Sequence, residues 1–174
     1  MRLSGSGAIP LVQSMFVSTS GRDISRGPGR VFHGHIVTAD GGALDEVLVH
    51  VMRAPRTYTR EDVVEINGHG GAGPLNAVLE QALVRGARLA RPGEFTLRAF
   101  LNGRIDLVQA EAVIDLIQAR TSASLRAAAA AAGGALSRAL HELDATLADA
   151  LARIEAAVDF PDEDLPDLVD EALF

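Results

Sequence analysis

YTREDVVEINGHGG, residues 58–71, and RPGEFTLRAFLNGRIDLVQAEAVIDLIQA, residues 91–119, decide how this chain reads. In the first, an apolar β-branched run around Val63-Val64-Glu65-Ile66 predicts a strand over 62–66. Gly68 to Gly73 then opens a helix over about 74–85, with Pro74 in the first turn, where its missing N–H costs nothing. Leu75, Val78, Leu79, Ala82 and Leu83 follow the 3.6-residue period of that helix. In the second stretch, Arg91-Pro92-Gly93 reads as a turn and 94–101 as a short helix. Asp106, with Gln109 three positions on, has the pattern of a capping box opening a helix to about residue 120.

Upstream, 31–37 alternates and 46–52 (EVLVHVM) continues the pattern beyond the hairpin signal Asp40-Gly41-Gly42. The first residues read as a clipped strand, followed by a short helix over 8–16 and a polar Gly/Ser/Arg loop over 17–30. Three strands and intervening helices predict an α+β domain with a small antiparallel or mixed sheet. Downstream, one long helix is expected from Thr121 through AAAAAAGGA, although Gly133 and Gly134 cost about 1 kcal/mol each there. Leu136, Leu140, Leu143, Leu147, Leu151, Ile154 and Val158 form one apolar stripe along it. Burying those side chains is worth about 1.5–3 kcal/mol each, so such a helix requires a partner. The acidic tail DFPDEDLPDLVDEALF breaks at Pro161 and Pro166. The expected division is a domain over 1–118 and a helical part over 119–174.

Composition narrows the chemistry. With 174 residues, 48% hydrophobic content and a mean hydropathy of +0.17, the chain has enough apolar material for a core. There are 23 acids against 16 bases, a net charge of −7, and aromatics are only 4%, so direct nucleic-acid binding by this chain is expected to be weak or absent. All 16 bases are arginine, which reads as coding bias. The absence of cysteine excludes disulfides and thiolate chemistry, and with no long apolar stretch or leader pattern the expectation is a cytoplasmic protein without membrane spans. His33 and His35 share a strand face but most simply belong to its solvated side. No triad, carboxylate dyad, GxxxxGK[ST] or GxGxxG occurs, so no catalytic residue and no metal site are assigned.

Three residues stand out as binding candidates. Glu65 lies in an apolar strand, and strand alternation alone allows it to be a solvent-facing residue. A half-buried carboxylate can also accept from a heterocycle bearing adjacent N–H and NH₂ donors. Arg2, ending the first strand, and Arg104, just before the Asp106 helix, are each compatible with a surface role or with charged hydrogen bonds to a ligand. The Gly68-His69-Gly70-Gly71 connector reads equally as a tight turn or a binding loop.

Arg2-Leu3-Ser4-Gly5, Tyr58-Thr59-Arg60-Glu61-Asp62-Val63-Val64-Glu65, Gly68-His69-Gly70-Gly71, Arg91 to Thr96, Arg98 to Gly103, Asp106-Leu107, Gln109 to Ala112 and Glu155 to Pro161 together resemble, in order and along nearly the whole chain, the N-terminal part of the MnmE (TrmE) family of tRNA-modifying GTPases. The resemblance implies a fold similar to the tetrahydrofolate-binding domain of aminomethyltransferases. It also implies a homodimer and binding of 5-formyl-tetrahydrofolate or 5,10-methylene-tetrahydrofolate, with contacts at Arg2, Glu65 and Arg104. The family, with an MnmG-type flavoprotein, builds a folate-derived one-carbon unit onto the wobble uridine of tRNA. Its GTP, Mg and K sites belong to a GTPase domain that is expected to lie outside this sequence, as are the residues preceding its first strand, the helices that return to complete the helical domain and a C-terminal cysteine motif. Position 104 is usually Lys and position 60 usually Gly in that family. The expected function is the folate-binding and dimerisation portion of such a protein; the alternative is a non-catalytic truncated remnant acting only as a structural dimerisation element.

Overall fold

Alternation in two long strands places one face of each in the core. The computed structural model describes residues 1–26 and 30–159. In β3 (Arg30–Val37) the inward residues are Phe32, Gly34 and Ile36, and in β4 (Ala43–Met52) they are Val47, Val49 and Val51. β5 (Val63–Asn67) lies against β4, and β1 (Arg2–Ser4) against β5, with Arg2 opposite Glu65 and Ser4 opposite Val63. The order is β1-β5-β4-β3-β2, and every pairing is antiparallel. This is the α+β arrangement expected.

The fifth strand, β2 (Phe16–Ser18), departs from expectation: helix α1 (Ala8–Gln13) stops short of Phe16. Phe16 pairs instead with Ile36, and Val37 donates its N–H to the carbonyl of Met15 at 2.9 Å. Met15 and Phe16 are both buried, so sheet pairing satisfies their backbone while inserting both side chains into the core, which another helical turn would not. The loop expected over 17–30 therefore yields Val17 and Ser18 to the sheet. Gly34 is required where it stands, because a Cβ there would overlap the carbonyl of Val17 and the ring of Phe16. The core joins Ile9, Val12, Ile24, Ile36, Val49 and Val64 to Val78 and Ala82 from α2 (Ala72–Val84). α3 (Glu94–Leu101) follows the turn at Gly93, as the sequence predicts.

Two compact units divide between Asp106 and Leu107. The division thus precedes α4 (Leu107–Gln118), which the sequence reading grouped with the first domain; α4 packs on α5 (Ser122–Ala132). A capping box starts α5, with the Ser124 N–H donating to Thr121 Oγ1 at 3.0 Å and the Thr121 N–H to Ser124 Oγ at 3.2 Å. The expected single helix from Thr121 is in fact two, α5 and α6 (Ala135–Asp159). Gly134 takes φ +83, a left-handed value that ends α5 and that a side chain resists. All seven stripe residues on α6 lie between 46% and 72% exposed. Residues 160–174, with the two prolines of the acidic tail, lie outside the described residues. Among the described residues no helix is long and apolar enough to cross a membrane, and no group of three His, Asp or Glu is placed to hold a metal.

Ile36 is fully buried, so Ile36→Ala is expected to cost about 2–5 kcal/mol in urea unfolding. Gly34→Ala is expected to cost about 1–3 kcal/mol by overpacking against Phe16. Loss of less than half a kcal/mol in both would contradict the placement of this core.

Candidate functional site

The register of β1 on β5 brings two of the three candidate residues face to face. Arg2 donates Nε to Glu65 Oε1 at 2.6 Å, with Nη2 also 2.6 Å from the same oxygen. The Glu65 side chain is 29% exposed, so the carboxylate is neither in the core nor on the open surface but paired with Arg2. The guanidinium of Arg2 also lies 5.9 Å from the ring centroid of Phe95 on α3.

Arg104 lies just beyond the C-terminal end of α3. Gly103, at φ +68, donates its N–H to Phe100, and the Arg104 N–H reaches the carbonyl of Ala99 at 2.8 Å, so the chain reverses at the end of α3. The Arg104 guanidinium then sits 4.6 Å from the ring centroid of Tyr58, and the Tyr58 hydroxyl shares a 3.0 Å hydrogen bond with Thr96 Oγ1. Phe95 and Thr96, adjacent on α3, therefore connect the surroundings of the two arginines. The roles of Tyr58 and Phe95 were not visible in spacing; a lone tyrosine in a chain so poor in aromatics was the available signal.

What fixes α3 is a network of charged hydrogen bonds. Arg98 donates to Glu61 Oε2 at 2.8 Å, to Glu94 Oε1 at 2.9 Å and to the carbonyl of Ser4 at 3.4 Å. Ser4 Oγ donates to Glu61 at 2.8 Å and contacts Thr59 Oγ1 at 2.6 Å, and Asn102 Nδ2 donates to the carbonyl of Thr59 at 2.6 Å. Glu94 also accepts from Arg88 and from the Arg91 N–H. The bonds from Arg88, Arg91 and Arg98 hold the Glu94 carboxyl well below the usual range. Burial raises the Glu61 carboxyl, but the bonds from Arg98 and Ser4 outweigh it and the net shift is downward. Arg60 stands at φ +57, where the resembling family usually has Gly, and its Nη1 donates to the carbonyl of Asn102 at 3.0 Å. That bond offsets part of the cost of a left-handed arginine.

A cavity of about 290 Å³ is lined by Arg2, Leu3, Ser4, Leu83, Phe95 and Arg98 among others; Glu65 and Arg104 do not line it. The glycine connector is separate from these residues. His69 donates its N–H to Asp45 Oδ2 at 3.0 Å and its ring Nδ1 lies 2.7 Å from Asp45 Oδ1, while a Cβ at Gly68 would overlap the Asp45 carboxylate. Gly68 is thus explained by a tight local connection. The bond to Asp45 raises the His69 imidazole and lowers the Asp45 carboxyl.

Residues 1–104 match the family described as GTP-binding protein TrmE N-terminus, and residues 107–174 match the MnmE helical domain. The chain belongs to the MnmE family. It is 51% identical over 166 residues to the tRNA modification GTPase MnmE of Geobacillus thermodenitrificans, covering 94% of this chain and 36% of that relative. The MnmE proteins of Moorella thermoacetica (53% over 165 residues, 94% of this chain and 36% of the relative) and Carboxydothermus hydrogenoformans (50% over 173 residues, 98% and 38%) are similar in the same way. The chain therefore spans little more than a third of the length of these MnmE relatives.

The acidic network has a pH signature. Glu61 and Glu94 have folded values below their unfolded ones, so their contribution is present above the ordinary glutamate range and is lost as pH falls through that range and below it. Melting temperature followed from pH 7 to pH 3 is expected to fall more steeply for the wild type than for Glu94→Gln. Arg98→Met is expected to cost about 1.5–3 kcal/mol at pH 7. Parallel acid limbs in the wild type and Glu94→Gln would refute the network's role.

Proposed function

We propose that this chain is the folate-binding and dimerisation portion of an MnmE-type tRNA-modifying GTPase, without catalytic activity of its own. The observation that carries the reading is Glu65, a partly exposed carboxylate between the buried Val64 and Ile66, paired with an Arg2 whose guanidinium lies over the Phe95 ring. Its chemistry fits the group the family implies. A carboxylate accepts from the adjacent ring N–H and amino donors of a pterin, and two arginines on aromatic seats offer charge to the carboxylates of its tail. Oε1 of Glu65 is engaged by Arg2, so Oε2 is the oxygen left for a ligand. When bound, 5-formyl- or 5,10-methylene-tetrahydrofolate would supply the one-carbon unit. This chain's part is to bind and orient it through Arg2, Glu65 and Arg104.

GTP with its Mg and K ions, an MnmG-type flavoprotein and the wobble uridine of tRNA are assigned to the full-length partner assembly in the cytoplasm. A net charge of −7 accords with tRNA being held mainly by other parts of that assembly. The homodimer is supported by the exposed apolar stripe of α6, whose seven side chains are costly to leave in water.

Titration calorimetry of the 174-residue chain with 5-formyl-tetrahydrofolate is expected to give saturable heat, and Glu65→Ala to weaken binding at least about tenfold. No heat above background in the wild type would leave the structural-remnant reading in place. Light scattering at tens of micromolar is expected to show a species larger than a monomer. A strict monomer would remove the support that the stripe lends to dimerisation.

A further inference from the structure

Arg104 is exposed, and a free arginine side chain loses rotamer entropy when a ligand fixes it. The structure reduces that loss before any ligand arrives. The guanidinium lies over the Tyr58 ring at 4.6 Å, and the ring is itself fixed by the hydroxyl bond to Thr96. At its other end the segment holding Tyr58 is pinned by the buried Thr59, by the Asn102 bond to the Thr59 carbonyl and by the Thr57 hydroxyl bond to the Glu61 carbonyl at 2.7 Å. A guanidinium seated over a ring can still offer paired N–H donors to a planar acceptor, a property an ammonium lacks.

We propose that Tyr58 is a positioning residue that seats Arg104 for a two-pronged contact with a ligand carboxylate, making the site selective for carboxylate-bearing ligands. The inference rests on the reading of Arg104 as a ligand contact. Thr96 is the hinge of the arrangement, since it ties the tyrosine to the same helix whose neighbouring Phe95 lies beside Arg2.

Two measurements separate the seat from the site. In the ligand-free 174-residue chain, the Arg104 Nε–Hε resonance is expected to be displaced by the ring current of Tyr58. The displacement should be retained in Tyr58→Phe and lost in Tyr58→Leu. In calorimetry with 5-formyl-tetrahydrofolate, Tyr58→Phe is expected to bind within about twofold of wild type and Tyr58→Leu about three- to tenfold more weakly. In an Arg104→Ala background Tyr58→Leu is expected to have no further effect. Wild-type affinity in Tyr58→Leu, or an undiminished effect of Tyr58→Leu without Arg104, overturns the assignment while leaving the folate reading intact. Absence of any wild-type binding overturns the folate reading and this assignment together, even if the resonance confirms the stack.

Discussion

Arg98 bridges two carboxylates, Glu61 and Glu94, that belong to different parts of the first unit, and the placement of α3 follows from that bridge. Without it, Glu61 would approach the end of β1 with only the Ser4 hydroxyl as partner, and Glu94, still paired with Arg88, would lose its link to the 57–61 segment. The bonds are charge-assisted and only partly exposed, the regime in which such contacts are worth most. Phe95 and Thr96 lie on the helix so fixed. The surroundings of both candidate arginines therefore depend on a network that touches neither of them.

The site is assembled in two ways. Arg2 and Glu65 meet through backbone register, which fixes a cross-strand pair as firmly as the sheet itself. Arg104 is placed by a helix end and an aromatic ring, a looser arrangement in which local packing sets the precision. The His69–Asp45 pair, although it sits in the most glycine-rich segment, is absorbed by local geometry, because Asp45 occupies the space a side chain at position 68 would need.

Much of this was legible in the sequence where one local signal dominated. Alternation gave β3 and β4, an apolar β-branched run gave β5, and the turn at Gly93 gave α3, because burial and local preference agree there. The candidate pair Arg2 and Glu65 was also legible, though not its pairing, since register is a non-local property. Phe16 was misread because its tertiary partner Ile36 outweighs the helical continuation suggested by the preceding residues. The break at Gly134 was misread because an alanine run masks the single left-handed residue that divides α5 from α6. The aromatic seats on Tyr58 and Phe95 leave no periodic trace at all. The stripe on α6 follows the expected spacing and is exposed in this chain.

The central claim is that the ligand site is built on β1, β5 and α3 and not on the glycine connector before α2. Chemical-shift mapping of the 174-residue chain during titration with 5-formyl-tetrahydrofolate tests it most directly. The largest perturbations are expected at Arg2, Glu65, Phe95, Thr96 and Arg104, with Gly68–Gly71 little changed. Perturbations centred on His69 and the start of α2, with Glu65 and Arg104 unmoved, would contradict the account.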